Sequence, residues 1–471
     1  MGVNSIMDIG RTALAAQSAA ISITGENIAN VNTPGYSRQT AVLETAPFNM
    51  DQRPAVGGGV MLASIQRTYD NFLQSQIYVA NSLNGKQSAE QTALQSVEPL
   101  FGDLTGTGLG TSLQNFFNAW QDLAMNPQGS AERQSVLAKA QTLVEDFHQI
   151  NSSLNTVKNN ANQSLVAITS GINTTTGLIA KLNAQIRTVQ QSGGNSNQLR
   201  DSRDLLIQNL SQQVGISTLE KSDGTVDVSL SRGPQLVSGD KSATLSLVVD
   251  KGLYSVSLGL PGGGTSNDST DITSLVSVTD GNTGVLGGTL LVRDNLVNDY
   301  LAHLDELASS LAEQVNDLHK AGLDLNGKPG GNFFTPPTTP ASSTIKLEFT
   351  STASIAAADV NGGGTGNNVN ALKIADLKNT SIALSSGNDT LSGFYGSLVG
   401  KVGLAVQTTN QEVTQSTVML KQLSNLRDSS TGVSLDEELI ALTKYQKAFQ
   451  GAARLITTGQ DMIDAVLGMI R

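Results

Sequence analysis

Residues 140–189 read AQTLVEDFHQINSSLNTVKNNANQSLVAITSGINTTTGLIAKLNAQIRTV. Within them Ala140, Leu143, Phe147, Ile150, Leu154, Val157 and Ala161 alternate by three and four. A four-residue step leads to Leu165, and Ile168 and Ile172 resume the alternation. Thr175 holds one seam position before Ile179, Leu182, Ile186 and Val189 continue it. That is about seven heptads, which predicts a rod of roughly 75 Å. An apolar stripe of that length is longer than a small domain and needs other helices alongside it. The spacing supplies them at 66–97, 111–125, 198–213, 290–319 and 397–427, the last with Val406, Val413 and Leu420 seven apart.

Between these helices the period changes to two. Val226, Val228 and Leu230 alternate after Asp223-Gly224. Leu245, Leu247 and Val249 alternate before Asp250-Lys251-Gly252, and Tyr254, Val256 and Leu258 after it. Alternation broken by Gly-containing turns reads as antiparallel hairpins. Residues 323–396 are rich in Gly, Pro and Thr with short strand-like pieces such as 345–349, and are assigned to the same outer β region. The expected fold is therefore mainly α with a β-rich insertion: a terminal α-helical coiled coil, a long helical bundle and an outer antiparallel β domain. The expected domains are 1–45 plus 430–471 for the coiled coil, 46–213 plus 290–322 plus 397–429 for the bundle, and 214–289 plus 323–396 for the β region. A length of 471 residues agrees with about three domains.

The coiled coil rests on the two ends of the chain. Ile6, Ile9, Ala13, Ala16, Ala20 and Ile23 alternate by three and four near the start, and Phe449, Ala452, Ile456, Gly459, Ile463, Val466 and Ile470 do so near the finish. Ser434 and Glu437 have the spacing of a capping box. Short helices are marginal alone in water, so the ends are expected to pair and keep one sticky face. The plainer reading is two amphipathic helices packed on a globular core. Between helix and body, Asn30, Thr33, Pro34, Gly35, Tyr36 and Arg38 form a rigid exit, because proline stops the helix and Gly35 can take a positive φ.

Composition narrows the chemistry. Charges of 29 Lys and Arg against 40 Asp and Glu give −11, so a nucleic-acid binder, whose affinity comes from neutralising phosphates, is not expected. Charged residues are only 15% of the chain, below the usual quarter. With no cysteine and three histidines, thiolate chemistry is absent and metal ligands are few. His303 and His319 would face apart on one helix, and His148 sits in the long helix; all three read as structural. Asp324-Leu-Asn326-Gly327 starts like a calcium loop, but its glycine comes too early and Thr335 stands where the bidentate Glu belongs. The triple glycines at 57–59, 262–264 and 362–364 lack a phosphate-binding lysine and read as turns. Arg200, Asp201, Arg203 and Asp204 read as a solvated or salt-bridged helix start. No catalytic residue, cofactor or metal site is expected. The start MGVNSIMDIGRTALAAQ does not read as a cleavable signal, and no run reaches the ~18 apolar residues of a membrane span.

Residues 27–38, NIANVNTPGYSR, following an Ala-rich helix, resemble the signature of the axial proteins of the bacterial flagellum: rod, hook and hook-associated proteins. The stretches 116–144, 286–327 and 435–471 are similar to the hook-associated proteins of the hook–filament junction; 214–289 and 330–396 match loosely. The resemblance implies a structural subunit, one per protofilament, in a thin ring between hook and filament. It implies contacts with itself, with hook protein and with the next hook-associated protein on the filament side. It also implies unfolded export by the flagellar type III route, so that the protein is cytoplasmic before export and extracellular afterwards. An export chaperone would bind the last helix, with Leu439, Leu442, Phe449, Ile456 and Ile463 as its contacts. The self-assembly set is Ile6, Ile9, Ala13, Ala16, Ala20 and Ile23 with Leu455, Ile456, Ile463, Val466 and Ile470. Two other readings stand beside it: another axial subunit of hook or distal-rod type, and a secreted enzyme carried on the flagellum.

Overall fold

The computed structural model describes residues 3–47, 57–102, 106–263, 269–279, 281–361, 364–385 and 387–469. Helix α1, Val3–Ala29, opens the chain and packs along the final helix. The hairpin β1 (Gln39–Thr45) and β2 (Val60–Arg67) follows and lies on α1. It crosses the boundary expected at residue 45. Asp70 then caps α2 (Asn71–Val97) by accepting from the amides of Phe72 and Leu73, so this helix starts five residues later than its periodicity suggests. α3 (Leu109–Met125) leads to α4, Ser130–Gln191, a single helix of 62 residues, or about 93 Å. α5 (Asn197–Gln213) returns along it.

Two antiparallel meanders come next. β3 (Ile216–Glu220), β4 (Val226–Leu230), β5 (Gln235–Ser238) and β6 (Lys241–Ser242) form one sheet. β7 (Leu245–Asp250), β8 (Leu253–Leu258) and β9 (Thr270–Asp271) form the other. Glu220 pairs with Val226 across the Asp223-Gly224 turn and Asp250 with Leu253 across Lys251-Gly252, as the alternation predicts. A single turn α6 (Thr273–Val276) precedes α7 (Gly284–Leu291), which runs through a π-helical turn at Val292–Leu296 into α8 (Val297–Lys320). Then come β10 (Gly322–Leu323), the short α9 (Ala341–Thr344), β11 (Ala358–Asp359), α10 (Val369–Asp376), β12 (Ile382–Leu384) and β13 (Gly387–Asp389). Two long helices finish the fold, α11 (Leu391–Thr431) and α12 (Leu435–Met469). Among the described residues no helix is long and apolar enough to cross a membrane.

The long helix serves two cores in turn. Its first half, from Val136 to Leu154, is buried against Phe116 and Trp120 of α3, Leu304 and Leu311 of α8 and Phe394 and Leu398 of α11. Its second half, Leu165 to Ile186, is buried against Ile207 and Leu210 of α5 and Val228, Val237 and Val256 of the sheets. Residues 323–396 join the first core, not the outer β region expected for them. Phe333, Phe334, Ile345, Ile355 and Ala357 fill the space among α3, α4 and α8. Piece 345–349 makes one isolated bridge, Phe334 to Leu347. Gly and Pro keep this segment out of long ladders, while its apolar side chains still need burial.

Along α4, asparagines supply hydrogen-bond partners to backbone groups of the sheets; Asn162 and Asn183 are buried and Asn173 is partly exposed. Asn162 accepts from Tyr254 N at 2.9 Å. Asn173 accepts from Leu245 N and donates to Leu245 O, both at 2.8 Å. Asn183 accepts from Val226 N at 3.1 Å and donates to Val226 O at 2.8 Å and Gly239 O at 2.7 Å. The helix is thereby hydrogen-bonded to both meanders. At the waist between the cores, the buried Arg293 of the π turn donates to Asn162 Oδ1 at 2.9 Å.

His319 fixes the 330–356 segment to α8. Its Nδ1–H donates to Gly331 O at 2.8 Å, and its Nε2 accepts from Ala356 N at 3.0 Å, so the ring must be neutral with the proton on Nδ1. Burial, assisted by nearby Arg133, lowers its pKa to about 4. In the unfolded chain the same ring protonates near its ordinary 6.5. Stability from this group is therefore full above pH 6.5 and is lost as pH falls towards 4, by about 3 kcal/mol in all. Urea denaturation from pH 7 to pH 4 is expected to show this loss. His319→Gln, which can donate and accept in the same place but does not titrate, should flatten that part of the slope.

Candidate functional site

α1 and α12 are held close by small residues. A Cβ on Gly10 would lie 2.6 Å from Ile456 Cγ1, so any larger residue there would have to displace the Ile456 side chain from the seam. Ala16, Ala20 and Ile23 are buried in the seam, with Ala452 and Gly459 from the other side. Ile6, Ile9, Ala13, Leu442, Ile456 and Ile463 are half-buried. Leu455, 46% exposed, and Val466, 52% exposed, instead point outward with Leu439, Ile440, Met462 and Leu467. The self-assembly set thus divides: most of it is seam, and Leu455 and Val466 belong to the face left over. Ile470 lies outside the described residues. Of the chaperone set, Leu439 and Phe449 are exposed, while Leu442, Ile456 and Ile463 are partly covered.

The exit motif is a hydrogen-bonded knot joining three parts of the fold. Asn30 Nδ2 donates back to Glu26 O, and Thr33 Oγ1 donates to Asn30 Oδ1 at 3.1 Å, which closes the helix. Pro34 is exposed, and Gly35 takes φ 83° against Leu205 of α5, a backbone that other residues adopt only with strain. Tyr36 donates its hydroxyl to Asn27 Oδ1 at 2.8 Å; burial raises its pKa to about 12, so it stays a donor. Arg38 donates from Nη1 to Glu437 at 2.6 Å and from Nε to Glu438 at 2.7 Å. Glu437, expected to close a capping box with Ser434, is engaged by Arg38 instead.

The centre of the knot is Asn27, which the motif reading passed over. It is buried, and all four of its bonds are made: Nδ2 to Gln39 O (2.8 Å) and Glu438 Oε2 (2.9 Å), Oδ1 from Gln39 N (3.0 Å) and Tyr36 OH. It ties α1 to α12 and β1 at one point. α5 holds the other side. Asp201 accepts from Ser37 N at 3.1 Å, and Arg67 Nη1 donates to Asp201 at 2.8 Å and Asp204 at 2.7 Å while its guanidinium lies 4.1 Å over Tyr69. Of the two readings of the charge cluster at 200–204, the salt-bridged one is what the structure shows: with Arg67 it forms a largely buried ionic clamp. Burial raises the carboxyl pKa of Asp201 despite Arg67. A groove of about 310 Å³ between residues 30–37, Tyr69 and 427–433 completes the junction.

These groups position; none is arranged as nucleophile and base. Asp324 spends its carboxylate on its own loop, accepting from Asn326 N and Lys328 N at 2.8 Å each. Among the described residues no three His, Asp or Glu side chains gather as a metal site.

A fold whose two ends pair into one helical unit, knotted to a long bundle by the 27–38 motif, has its counterparts among flagellar proteins. Residues 7–36 match the family described as flagella basal body rod protein, and residues 427–469 match the flagellar basal body rod FlgEFG protein C-terminal family. The class defined is the axial proteins of the bacterial flagellum. Residues 94–334, more than half of the chain, match the flagellar hook-associated protein FlgK helical domain, and the chain belongs to that family. It is 29% identical to flagellar hook-associated protein 1 of Bacillus subtilis (strain 168) over 98% of this chain and 97% of that one. It is 26% identical to the protein of the same name in Escherichia coli (strain K12) over 99% of this chain and 100% of that one. The fold is shared with a solved structure of the flagellar hook junction protein FlgK from Burkholderia pseudomallei (TM-score 0.68, 18% identity, 76% of this chain and 100% of that chain).

Proposed function

We propose that this chain is a structural subunit joining the hook of the flagellum to its filament side, assembled as a ring of copies and not an enzyme. The observation that carries the reading is the pair α1–α12 with its outward apolar residues: one face is spent on pairing and Leu439, Ile440, Leu455, Val466 and Leu467 remain. Burying that remainder against sister copies stabilises the ring through apolar area, and the Asn27 knot holds the pair at a fixed angle to the body. Hook protein below and the next hook-associated protein above are the neighbours that a junction ring requires. The chain is exported unfolded by the flagellar type III route, for which a cysteine-free sequence is suited, and is extracellular once assembled. An export chaperone engages Leu439, Leu442, Phe449, Ile456 and Ile463. Because Ile456 packs against Gly10, chaperone and α1 compete for this stripe, and release lets the ends pair. Labelling the protein on isolated hook–filament particles tests the reading: one thin band at the junction is expected, and label along a continuous tube would overturn it in favour of a hook or rod subunit.

A further inference from the structure

At one level of the body the two apolar cores give way to polar side chains. On α4 the first core ends at Leu154 and the second begins at Leu165; Val157 and Ala161 between them are only partly buried, and Asn162 is buried. On α2 the second core holds Tyr78 and the first holds Leu94. The buried residues between these two are Ala80, Ser82, Gly85, Lys86 and Gln87, none of them a large apolar side chain. On α7–α8 the change from Leu290 of the second core to Val292 of the first falls at the π turn, where Arg293 is buried. α11 leaves the first core at Val406 and, among the described residues, adds nothing to the second. From there it meets α2 through polar pairs: Gln91 Nε2 to Asn410 Oδ1 at 2.7 Å, Gln87 Nε2 to Glu412 Oε2 at 3.5 Å and Asn84 Nδ2 to Ser416 Oγ at 2.9 Å. Cross-links tie the level together. Lys158 of α4 donates to Asn298 Oδ1 at 2.8 Å beside the Arg293–Asn162 bond, and Lys86 of α2 donates to Thr279 O ahead of α7. α2 and α7 also touch directly, since a Cβ on Gly288 would lie 2.5 Å from Lys86 O.

We infer that this polar level is a bending joint within the single chain, at which the two cores tilt against each other as rigid bodies while the helices between them slide. Interdigitated apolar side chains resist sliding, because each step opens voids in a close-packed interior. Hydrogen-bonded polar pairs exchange partners with water at little net cost, so the belt resists far less. The π turn gives α7–α8 a place to kink. On α4, which runs through unbroken, Thr156 and Ser164 bond back to Ser152 O at 2.9 Å and Asn160 O at 2.8 Å, a pattern that favours bending of a helix. The touch at Gly288 is the pivot, since with no side chain between them α2 and α7 can turn there without repacking either core. The second core carries the exit knot through Asp201 of α5, so a tilt at the waist changes the angle between the paired ends and the first core. In the ring proposed above it would let the first core move while the ends stay seated. That use rests on the ring reading; the joint does not.

Spin labels on the full-length protein test it. The chain has no cysteine, so labels attach only where one is introduced. Glu145→Cys with Asn209→Cys spans the waist, and Glu145→Cys with Glu313→Cys stays within the first core as the reference; all three positions are exposed. Distances are read by double electron–electron resonance on labelled protein diluted with unlabelled copies. The spanning pair is expected to give a distribution about twice as wide as the reference pair. Gln87→Leu with Glu412→Leu, which sets apolar side chains into the α2–α11 seam, should narrow it to the reference width. Arg293→Ala, which frees Asn162 and Tyr254 O from the π turn, should widen it, and far-ultraviolet circular dichroism checks that each variant keeps its helices. A spanning pair as narrow as the reference in the parent protein overturns the inference with no variant needed. So does a wide distribution that the leucine pair leaves as wide, because the movement then lies elsewhere. Neither result touches the ring reading, which the label on hook–filament particles decides.

Discussion

Ile463→Asp is expected to abolish incorporation into flagella, and Val466→Asp to do the same by a different route. Ile463 is half-buried on the side of α12 that meets α1, so a carboxylate there must either stay in the seam without a partner or force the helices apart, at a cost of several kcal/mol. A pair of helices has little stability to spare, and the far end of α12 should separate. Hydrogen exchange at the amides of 3–15 and 455–469 is expected to accelerate at least a hundredfold. The body should be unaffected, because neither apolar core includes any residue of α1 or α12; its denaturation midpoint should match the parent. Val466 is 52% exposed, so Val466→Asp leaves pairing and exchange unchanged and acts only where a sister copy would cover it. If Ile463→Asp incorporates normally, the seam is misplaced. If Val466→Asp does, the outward face is not an assembly surface.

The elements with long periodicity were legible from the sequence. The seam from Leu143 to Ile186 is buried in its first, middle and last turns, because a regular apolar stripe on a long helix has one way to leave water. The hairpins at 223–224 and 251–252 also follow from local turn chemistry. Residues 323–396 were misassigned because short apolar pieces among Gly and Pro look like strands, and nothing local says which helices they will cover. At the ends, Leu455 and Ile456 were both read as self-assembly contacts, although consecutive helical residues lie 100° apart and only Ile456 is partly covered, while Val466, read into the seam, is exposed. The knot was half legible. Tyr36, Ser37 and Arg38 stand in a recognisable segment, but their respective partners Asn27, Asp201 and Glu438 come from three helices, and sequence spacing does not bring those together. Asn151, Asn162 and Asn173 recur every eleven residues, a spacing that keeps one helical face. In sequence alone such asparagines are indistinguishable from solvated ones.

Asn183 gives the largest stability effect expected of any single side chain in the β region. It is fully buried, and it carries bonds to Val226 N, Val226 O and Gly239 O together with one from Arg203 Nη1 at 3.3 Å. Asn183→Leu keeps the volume and removes every polar partner. Val226 at the end of β4 and Gly239 in the turn after β5 then lose the bonds that this side chain supplies. Unmade bonds of this kind cost about 1–3 kcal/mol each, so a loss of about 4 kcal/mol is expected against a gain of one apolar contact. Arg203 retains Gly224 O at 2.7 Å, which limits the damage on that side. Since this half of α4 has its own core, the loss should appear as early exchange and protease cleavage in 216–242, with the first core still protected. Asn173→Leu, at a part-exposed site with water as a substitute partner, should cost less than half as much. If the two variants are equally mild, the helix does not hold the meanders by these amides, and the apolar residues between them carry the contact alone.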